Sequence, residues 1–298
     1  MTRRVPSTDG VAVALHELAG ESAPNHSIVL VSHATGFHAR AYLPMAAGLE
    51  PAFHVVGLDV RGHGDTPAPP DWEVDWTGYA DDTAAVADEL AGEPGGEGGL
   101  VGFGHSKGGA TLLMAAHRSP DQFRLLVLYE PIVFPPVAAE NGATRPPSPL
   151  VEGARRRRPT FPSLEDAIAN YSSKPPLDAF DPEALDAYVR YGFGPDPDSD
   201  GVRLKCDPEH EARTFEEGAW HDTWARLPDI TVPTLVVAGA LDANPPAMIA
   251  EDVAARLPHG RYLPMPDVDH FGPFTRPRRV ADLIATTIAE EDDTPAVP

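Results

Sequence analysis

A serine between two glycines, placed directly after an apolar stretch, is the clearest chemical signal in the sequence. Gly104-His105-Ser106-Lys107-Gly108 fits the pattern G-x-S-x-G, a sharp turn that exposes a serine between a strand and a helix. Side chains at positions 104 and 108 would collide with the adjoining strand or helix. The N-terminus of the following helix offers N–H groups to a developing negative charge. The motif therefore predicts Ser106 as a nucleophile.

The segments around this motif alternate between strand-like and helix-like patterns. Continuous apolar runs such as Ser27–Ser32 and His54–Leu58 are typical of buried parallel strands. This alternation predicts an α/β fold with a doubly wound, mostly parallel sheet and helices on both faces. The predicted strands cover 11–18 (an edge strand), 27–32, 54–58, 99–104, 125–129, 234–238 and 260–264, and the predicted helices cover 79–90, 107–117, 246–257 and 277–290.

The alternation stops between Pro131 and Leu227. Proline and arginine are frequent in this stretch, and Ser163–Tyr171 and Pro182–Tyr191 carry the signals of short helices. The sequence therefore predicts an α/β core formed by residues 1–130 and 228–298, interrupted by a helical cap, or lid, at residues 131–227. An insertion at this point of the core should cover the nucleophile.

Composition and charge exclude several classes of protein and partner. Hydrophobic residues make up 42% of the 298 residues, enough for a large core, but no apolar stretch approaches the about 20 residues of a membrane span. A single cysteine, Cys206, excludes an internal disulfide and a cysteine metal site. The N-terminus lacks the apolar segment of a signal peptide. The net charge of −22 disfavours nucleic acid and anionic membranes as partners. We expect a cytoplasmic protein.

The serine motif in its context resembles the α/β-hydrolase family, in the capped subgroup with a serine nucleophile. The resemblance extends over the core from about residue 11 to residue 290 and is weakest across the cap. The family order is nucleophile, acid, histidine. This sequence offers Ser106, then Asp242 in Gly239-Ala240-Leu241-Asp242, and then His270 in Asp267-Val268-Asp269-His270-Phe271. The resemblance implies the α/β-hydrolase fold and a catalytic triad of these three residues.

In such a triad, His270 accepts the proton of Ser106 and later returns it to the leaving group. Asp242 would hold the imidazole tautomer and stabilise the imidazolium that forms. Glu130 is an alternative acid, because it ends a predicted strand where some family members carry theirs. Asp267 and Asp269 also lie near the histidine in sequence.

An oxyanion hole needs two preorganised donors. The resemblance assigns one to the backbone N–H of Lys107. The second is the backbone N–H of Thr35, in a loop, Ser32-His33-Ala34-Thr35-Gly36-Phe37, that resembles the His-Gly-x-x loop of the family with Ala34 in place of the usual glycine. Phe37, His105 and Glu130 are candidates for the substrate pocket, whereas His33 is interpreted as structural.

Three charged segments have less specific interpretations. Asp59-Val60-Arg61-Gly62-His63-Gly64-Asp65 resembles a family turn that ties loops together below the active site. Residues 196–201 match the opening of a calcium loop, but Arg203 and Asp207 break the pattern, so an exposed acidic turn is favoured. The run Arg155–Arg158 suggests cap salt bridges or a patch for an anionic substrate. We therefore predict no metal and no cofactor.

The leading hypothesis is a cofactor-free serine hydrolase that cleaves a carboxylic ester, or a related acyl bond, of a small molecule through an acyl-enzyme. The alternatives are a non-hydrolytic enzyme of the same fold (an acyltransferase, lyase or perhydrolase) and a catalytically silent ligand-binding module. The choice among ester, thioester, lactone, amide and C–C bonds stays open, as does the oligomeric state.

Overall fold

Eight strands form one mixed sheet through the middle of the protein. The computed structural model describes residues 2–20, 26–136, 148–218, 220–241 and 245–293. The strands of this sheet are β1 (Thr2–Pro6), β2 (Ala12–Ala19), β3 (Ser27–Ser32), β4 (Phe53–Asp59), β5 (Leu100–His105), β6 (Phe123–Tyr129), β10 (Thr234–Ala238) and β11 (Gly260–Pro264). Their spatial order is β1-β2-β4-β3-β5-β6-β10-β11, and all neighbours from β4 to β11 are parallel.

The strand order reverses beside β3, which places a crevice at that point. From β3 the chain passes to β4 on one side, whereas β5 and the later strands lie on the other side. Ligands of open α/β sheets bind at the carboxyl ends of the strands where the order reverses. Ser32 at the end of β3 pairs with Gly104 near the end of β5, so the predicted nucleophile follows one of the two strands that border this crevice.

Helices cover both faces of the sheet, as the alternation predicted. Helices α2 (Trp76–Ala91), α3 (Lys107–Arg118) and α9 (Pro245–Arg256) pack on one face and share a buried apolar cluster with the sheet. Helices α1 (Leu43–Ala47) and α11 (Pro277–Asp292) pack on the other face, where a second cluster forms. The short helix α10 (Gly272–Thr275) precedes α11. The doubly wound α/β fold is therefore confirmed.

The segment between β6 and β10 contains helices and a small second sheet. The helices are α4 (Pro149–Arg155), α5 (Leu164–Tyr171), α6 (Pro182–Gly192), α7 (Pro208–Glu217) and α8 (Thr223–Arg226). The strands β7 (Thr160–Phe161), β8 (Phe193–Pro195) and β9 (Val202–Leu204) form an antiparallel sheet in the order β7-β9-β8. The sequence predicted only helices here, because strands of two or three residues are too short to show an alternating pattern.

The predicted edge strand at residues 11–18 is not at the edge. Its counterpart, β2, pairs with β4 on one side and with the antiparallel strand β1 on the other. The true edge is β1, which carries Arg3 and Arg4 and ends at Pro6. Charged residues and proline are common on edge strands because they discourage pairing with other chains. These same residues hide the apolar alternation that would have revealed β1.

None of the helices in the described part of the chain has the length and apolar character needed to cross a membrane.

Candidate active site

Ser106 lies in the turn between β5 and α3, in a strained backbone conformation. Its φ and ψ angles are 55° and −114°, a region that residues other than glycine rarely adopt. Its N–H donates to the carbonyl of Tyr129 at 2.9 Å, and its carbonyl accepts from the N–H of Ile132 at 3.1 Å. Such conformations persist only where surrounding contacts impose them, and they concentrate at functional sites.

Gly108 brings the loop after β3 close to the first turn of α3. A Cβ at this position would lie 1.9 Å from the carbonyl oxygen of Ser32, so only glycine fits. Because Thr35 follows Ser32 by three residues, this contact places the loop that carries Thr35 beside the helix that begins at Lys107. Thr35 is 8% exposed, and Lys107 is fully buried.

His270 lies in the loop between β11 and α10 and is paired with Glu130. The Nδ1–H of His270 donates to Oε2 of Glu130 at 2.5 Å, which leaves Nε2 available for proton transfer. The other carboxylate oxygen of Glu130 accepts the N–H of Gly239 at 2.7 Å. Glu130 follows β6 directly, is fully buried and has a φ of 48°. This is the arrangement in which a carboxylate orients a catalytic imidazole.

Two other carboxylates considered from the sequence, Asp267 and Asp269, bind partners other than the imidazole of His270. Asp267 forms a salt bridge with Arg279. Asp269 accepts the N–H of Phe271 at 3.0 Å and the hydroxyl of Thr275 at 3.4 Å. Asp242 lies outside the described residues, so its role stays a prediction.

His105 connects three parts of the site through its two ring nitrogens. Its Nε2–H donates to the carbonyl of His270 at 2.9 Å, and its Nδ1 accepts from the hydroxyl of Tyr42 at 2.8 Å. The same hydroxyl accepts the N–H of Ala34 at 3.1 Å. Through this chain, the loop of Thr35, the strand before Ser106 and the loop of His270 are held together. His105 is fully buried, and both of its ring nitrogens are engaged in these hydrogen bonds, so its place in the substrate pocket stays a prediction.

The loop of His270 is also held from β6 and β10. The Tyr129 hydroxyl donates to the carbonyl of Asp269 at 2.7 Å, and the Ala240 N–H donates to the carbonyl of Val268 at 2.7 Å. A Cβ at Gly239 would lie 2.5 Å from the Val268 oxygen, so this approach requires glycine. Sequence reasoning missed Tyr42 and Tyr129. Only Tyr129 had a detectable signal, its position next to Glu130 at the end of a strand.

Phe37 lies in an aromatic cluster between the core and the inserted segment. Its ring stacks on Phe274 at a centroid distance of 4.6 Å and contacts Tyr188 of α6 at 5.0 Å. Phe180, just before α6, stacks on Phe274 at 5.0 Å. Phe37 is 9% exposed. The inserted segment therefore packs against the loop that carries Thr35 and Phe37.

His33 and the loop after β4 have structural roles, as predicted. His33 donates from Nδ1 to the carbonyl of Ala34 at 2.8 Å. Asp59 accepts from His16 and from the N–H groups of Ala39 and Asp65, at 2.7–2.8 Å. Arg61 is fully buried and forms a salt bridge with Asp82. These contacts tie the loops together below the nucleophile.

One group in the described residues has the spacing of metal ligands: His16, Asp59 and Asp65. Asp65 already forms salt bridges with Lys205 at 2.6 Å and Arg40 at 3.3 Å. These cations would compete with a metal ion for its carboxylate.

The arginine run and the acidic loop of the inserted segment form salt bridges. Arg155 pairs with Glu209 and Glu216, and Arg157 pairs with the buried Glu211. In the acidic loop, Arg203 binds Asp196 at 2.8 Å and Asp198 at 2.5 Å. The salt-bridge interpretation of the run holds for these two arginines, and the loop carboxylates are engaged by an arginine of their own segment.

Chemically, the described residues offer a strained serine and an imidazole whose Nδ1 is bound by a buried carboxylate. The model of the α/β-hydrolase family matches residues 28–283. The chain belongs to the α/β-hydrolase family. This match confirms the resemblance that was drawn from the motif around Ser106, and membership of this family supports hydrolase activity.

Individual relatives of this α/β-hydrolase match parts of the chain. A protein described as a non-heme bromoperoxidase, BpoC of Mycobacterium tuberculosis, is 32% identical over 127 residues, which is 41% of this chain and 42% of the relative. The lipase LipV of the same organism is 36% identical over 105 residues, which is 35% of this chain and 37% of LipV. The matched region thus spans about two fifths of these curated relatives.

Among solved structures, the peroxisomal α/β-hydrolase Lpx1 of Saccharomyces cerevisiae superposes with a TM-score of 0.77 at 17% identity. The superposition covers 100% of this chain and 89% of Lpx1. At this identity the match supports the fold.

Proposed function

We propose that this α/β-hydrolase is a serine hydrolase that cleaves a carboxylic ester, or a related acyl bond, with Ser106, His270 and Glu130 as its catalytic triad. The observation that carries the proposal is the hydrogen bond from His270 Nδ1–H to Glu130, in a loop that is itself bound by His105, the residue before the strained Ser106. A buried carboxylate on the imidazole strengthens base catalysis, because it holds the tautomer and stabilises the imidazolium, and a binding module has no equivalent need for it.

The reaction would proceed in two acyl transfers. His270 Nε2 takes the proton of Ser106 as Oγ attacks the substrate carbonyl, and the oxyanion accepts hydrogen bonds from the backbone N–H groups of Thr35 and Lys107. His270 returns the proton to the leaving alcohol, which yields an acyl-enzyme. A water molecule, deprotonated by His270, then releases the acid and regenerates the serine. Glu130 stabilises the imidazolium in both steps.

Glu130 is favoured over Asp242 because its carboxylate already binds Nδ1 of His270 and is itself held by Gly239. The assignment of Asp242 rests on the order of residues along the chain. We therefore carry Asp242 as the alternative acid, to be distinguished by mutation.

The substrate proposed is a small molecule, and no step requires a metal or cofactor. The inserted segment at 131–227 would act as a lid, since α6 packs on the loop of Thr35 and Phe37. The aromatic cluster around Phe37 would then set the preference for the acyl group. The charge of −22 supports the exclusion of nucleic acid, and the single cysteine is consistent with the cytoplasmic location that we propose.

The names of the matched relatives agree with acyl chemistry in one case, since LipV is named a lipase. This supports a hydrolase more than an acyltransferase or lyase of the same fold.

A fluorophosphonate probe tests the proposal. The wild-type protein should be labelled at one residue, Ser106, and should hydrolyse a nitrophenyl ester from a chain-length series. Ser106→Ala should lose both labelling and turnover, whereas Ser173→Ala, at an exposed serine of the inserted segment, should keep both. Labelling without hydrolysis of esters, thioesters or lactones would favour a non-hydrolytic enzyme. No labelling would favour a binding module.

A further inference from the structure

The residue after the nucleophile carries a buried positive charge with a neutral hydrogen-bond partner. Lys107 is fully buried, and its Nζ donates to Nε2 of His63 at 3.2 Å. The other nitrogen of that ring, Nδ1, lies 3.2 Å from the carbonyl oxygen of Arg61 and 3.4 Å from the same Nζ, so a ring with its proton on Nδ1 donates to Arg61 and accepts from Lys107 at Nε2. The Lys107 Nζ also lies 4.6 Å from the centre of the Tyr79 ring. Within the described residues, no carboxylate lies within ion-pair distance of this ammonium.

The groups that surround the ammonium come from both the core and the inserted segment. His63 contacts His33 at a ring distance of 5.1 Å and His210 of α7 at 5.3 Å. Tyr79 is hydrogen-bonded to His210 at 3.1 Å and to Thr214 at 2.7 Å. We call Lys107, His33, His63, Tyr79 and His210 the lysine cluster.

The histidines of the lysine cluster are held neutral. Burial, together with the charge of Lys107, lowers the pKa of His33 to about 3 and that of His210 to about 4. The same two causes lower the pKa of His63 well below its ordinary value. Burial raises the pKa of the nearby thiol of Cys206, so it too is uncharged.

The carboxylates that act on Lys107 from further away are engaged elsewhere. Asp59, Asp82 and Glu211 all favour its charged form through space. Asp59 is bound by His16 and backbone N–H groups, Asp82 by Arg61, and Glu211 by Arg157. Burial outweighs these attractions and lowers the pKa of Lys107 to about 7.

A cation in this position lowers the stability of the fold, because burying a charge without a counter-ion is unfavourable. A methionine or leucine would fill the same space without that loss. Groups with perturbed titration that weaken the fold are characteristic of functional sites. The backbone N–H of this same residue is one of the two oxyanion donors of the proposed function.

We propose that the side chain of Lys107 is an electrostatic positioning residue, whose buried charge stabilises the oxyanion formed on Ser106 without touching the substrate. This inference rests on the proposed function. In a low-dielectric interior with neutral neighbours, the charge is poorly screened and acts on a negative charge formed at the adjacent residue. The histidines position the ammonium without neutralising its field.

The charge of Lys107, and with it the proposed stabilisation of the oxyanion, depends on pH. Lys107 is charged below about pH 7 and neutral above it, so the stabilisation is present in acid and lost as pH rises. His270 acts as a base only when neutral, so its contribution rises with pH. The wild-type rate should therefore rise with pH, pass through a maximum and fall to an alkaline plateau about tenfold lower, since a unit charge about 12 Å from the oxyanion at an effective dielectric constant of about 20 contributes about 1.4 kcal/mol.

The test measures the second-order rate of fluorophosphonate labelling at Ser106 against pH, together with kcat for a nitrophenyl ester, in the full-length protein. Lys107→Met keeps the length of the side chain and removes the charge. It should lose the alkaline fall and keep the acidic rise, with its rate near the alkaline plateau of the wild type. Lys174→Met, the same change at an exposed lysine, should retain the wild-type profile.

A second variant tests the position of the fall. His63→Phe removes the acceptor of the Lys107 hydrogen bond while keeping a ring in place, so the ammonium is less stabilised. The alkaline fall should move to lower pH. Thermal unfolding of each variant separates these effects from loss of structure, and Lys107→Met should unfold at a higher temperature than the wild type at about pH 6.

Two results overturn the inference: a wild-type rate that does not fall above neutral pH, or a fall of the same size in Lys107→Met. Either result, with normal labelling of Ser106, leaves the proposed hydrolase intact. A wild-type protein that is not labelled at any pH overturns the proposed function and this inference together.

Discussion

The residues on either side of Ser106 belong to two buried polar clusters with opposite electrostatics. His105, before the nucleophile, joins His270, Glu130, Tyr129 and Tyr42 in a set that we call the acid–histidine cluster. Lys107, after it, belongs to the lysine cluster. In the first cluster a carboxylate is matched by an imidazole and a backbone N–H. In the lysine cluster, the ammonium of Lys107 contacts the uncharged rings of His63 and Tyr79.

This difference separates two ways of placing charge at an active site. The carboxylate of Glu130 accepts its hydrogen bonds already in the ground state, and its interaction with the imidazole becomes more favourable when the imidazole is protonated. Among the described residues, the ammonium of Lys107 has no carboxylate within ion-pair distance, and in our proposal the opposite charge that it meets is the oxyanion of the transition state. The first cluster is compatible with a stable fold, whereas the second weakens it.

The largest expected effect comes from removing the charge of the acid–histidine cluster. In Glu130→Gln, the amide NH₂ faces either Nδ1 of His270, where it favours the wrong tautomer, or the Gly239 N–H, where two donors meet, and in both cases the negative charge that stabilises the imidazolium is gone. We expect kcat to fall by about 10³- to 10⁴-fold with the fold retained, as for other triads that lose their acid charge. Steady-state kinetics with an ester and a far-UV circular dichroism spectrum measure the two quantities.

Asp242→Asn is the matched control for Glu130→Gln and should change kcat by less than about tenfold, well short of the loss of a triad acid. The opposite ranking of the two variants would transfer the role of the acid to Asp242 and remove it from the acid–histidine cluster.

The next-largest effect is on the free energy of unfolding, and it has opposite signs for substitutions of Lys107 and of Arg157. The pKa of Lys107 falls from 10.5 to about 7 on folding, so the folded state resists the charged form. Lys107→Met should therefore stabilise the protein by on the order of 4–5 kcal/mol below about pH 7, from about 1.4 kcal/mol for each pH unit of the shift. This gain should shrink as pH rises towards about 10.5, because the unfolded chain then loses the same proton.

Arg157→Met provides the contrast, because the side chain of Arg157 is 17% exposed and is paired with the buried Glu211. Removing it leaves that carboxylate without its partner, and we expect a loss of about 3–5 kcal/mol. Urea unfolding across the pH range measures both variants. A destabilising Lys107→Met would show that the ammonium is well accommodated, and the contrast between the two clusters would disappear.

A smaller effect is expected where the backbone supports the loop of His270. In Gly239→Ala, the new Cβ would approach the Val268 oxygen to 2.5 Å, so the loop must shift. A displacement on the order of 1 Å at a catalytic group lowers kcat by about 10²-fold. The control is Gly153→Ala in α4, where a Cβ would have nothing within 4 Å and the rate should be unchanged. An equal rate in Gly239→Ala would mean that the acid–histidine cluster tolerates movement.

The smallest effect concerns the link between the oxyanion loop and the acid–histidine cluster. Tyr42→Phe removes the hydroxyl that binds the Ala34 N–H and Nδ1 of His105, both of them buried. We expect a loss of about 1–3 kcal/mol in stability and a fall of a few fold in kcat. Thermal unfolding and ester kinetics measure these changes. Tyr191→Phe, at a partly exposed tyrosine, should change neither, and equal results for the two variants would argue against the link.

The amino-acid sequence by itself determined most of the sheet and the turn that carries Ser106. Strands β3 and β10 and the start of α3 lie where the apolar runs and glycines around Ser106 predicted them. These features depend on local patterns, because the period of apolar residues selects a strand or helix and small residues permit the sharp turn. The short strands β7–β9 and the edge strand β1 left no such pattern.

Only the tertiary structure decided which side chains meet at the site. Glu130 and His270 are 140 residues apart in sequence, and several carboxylates had compatible positions along the chain. The partners of Lys107 come from the loop after β4, from α2 and, through His63, from α7 of the inserted segment. Such pairings depend on how whole elements pack and on which polar groups become buried together, so no local pattern records them. From the sequence, only the backbone N–H of Lys107 was predicted to take part, as an oxyanion donor. The structure shows in addition that the side chain of this residue is fully buried.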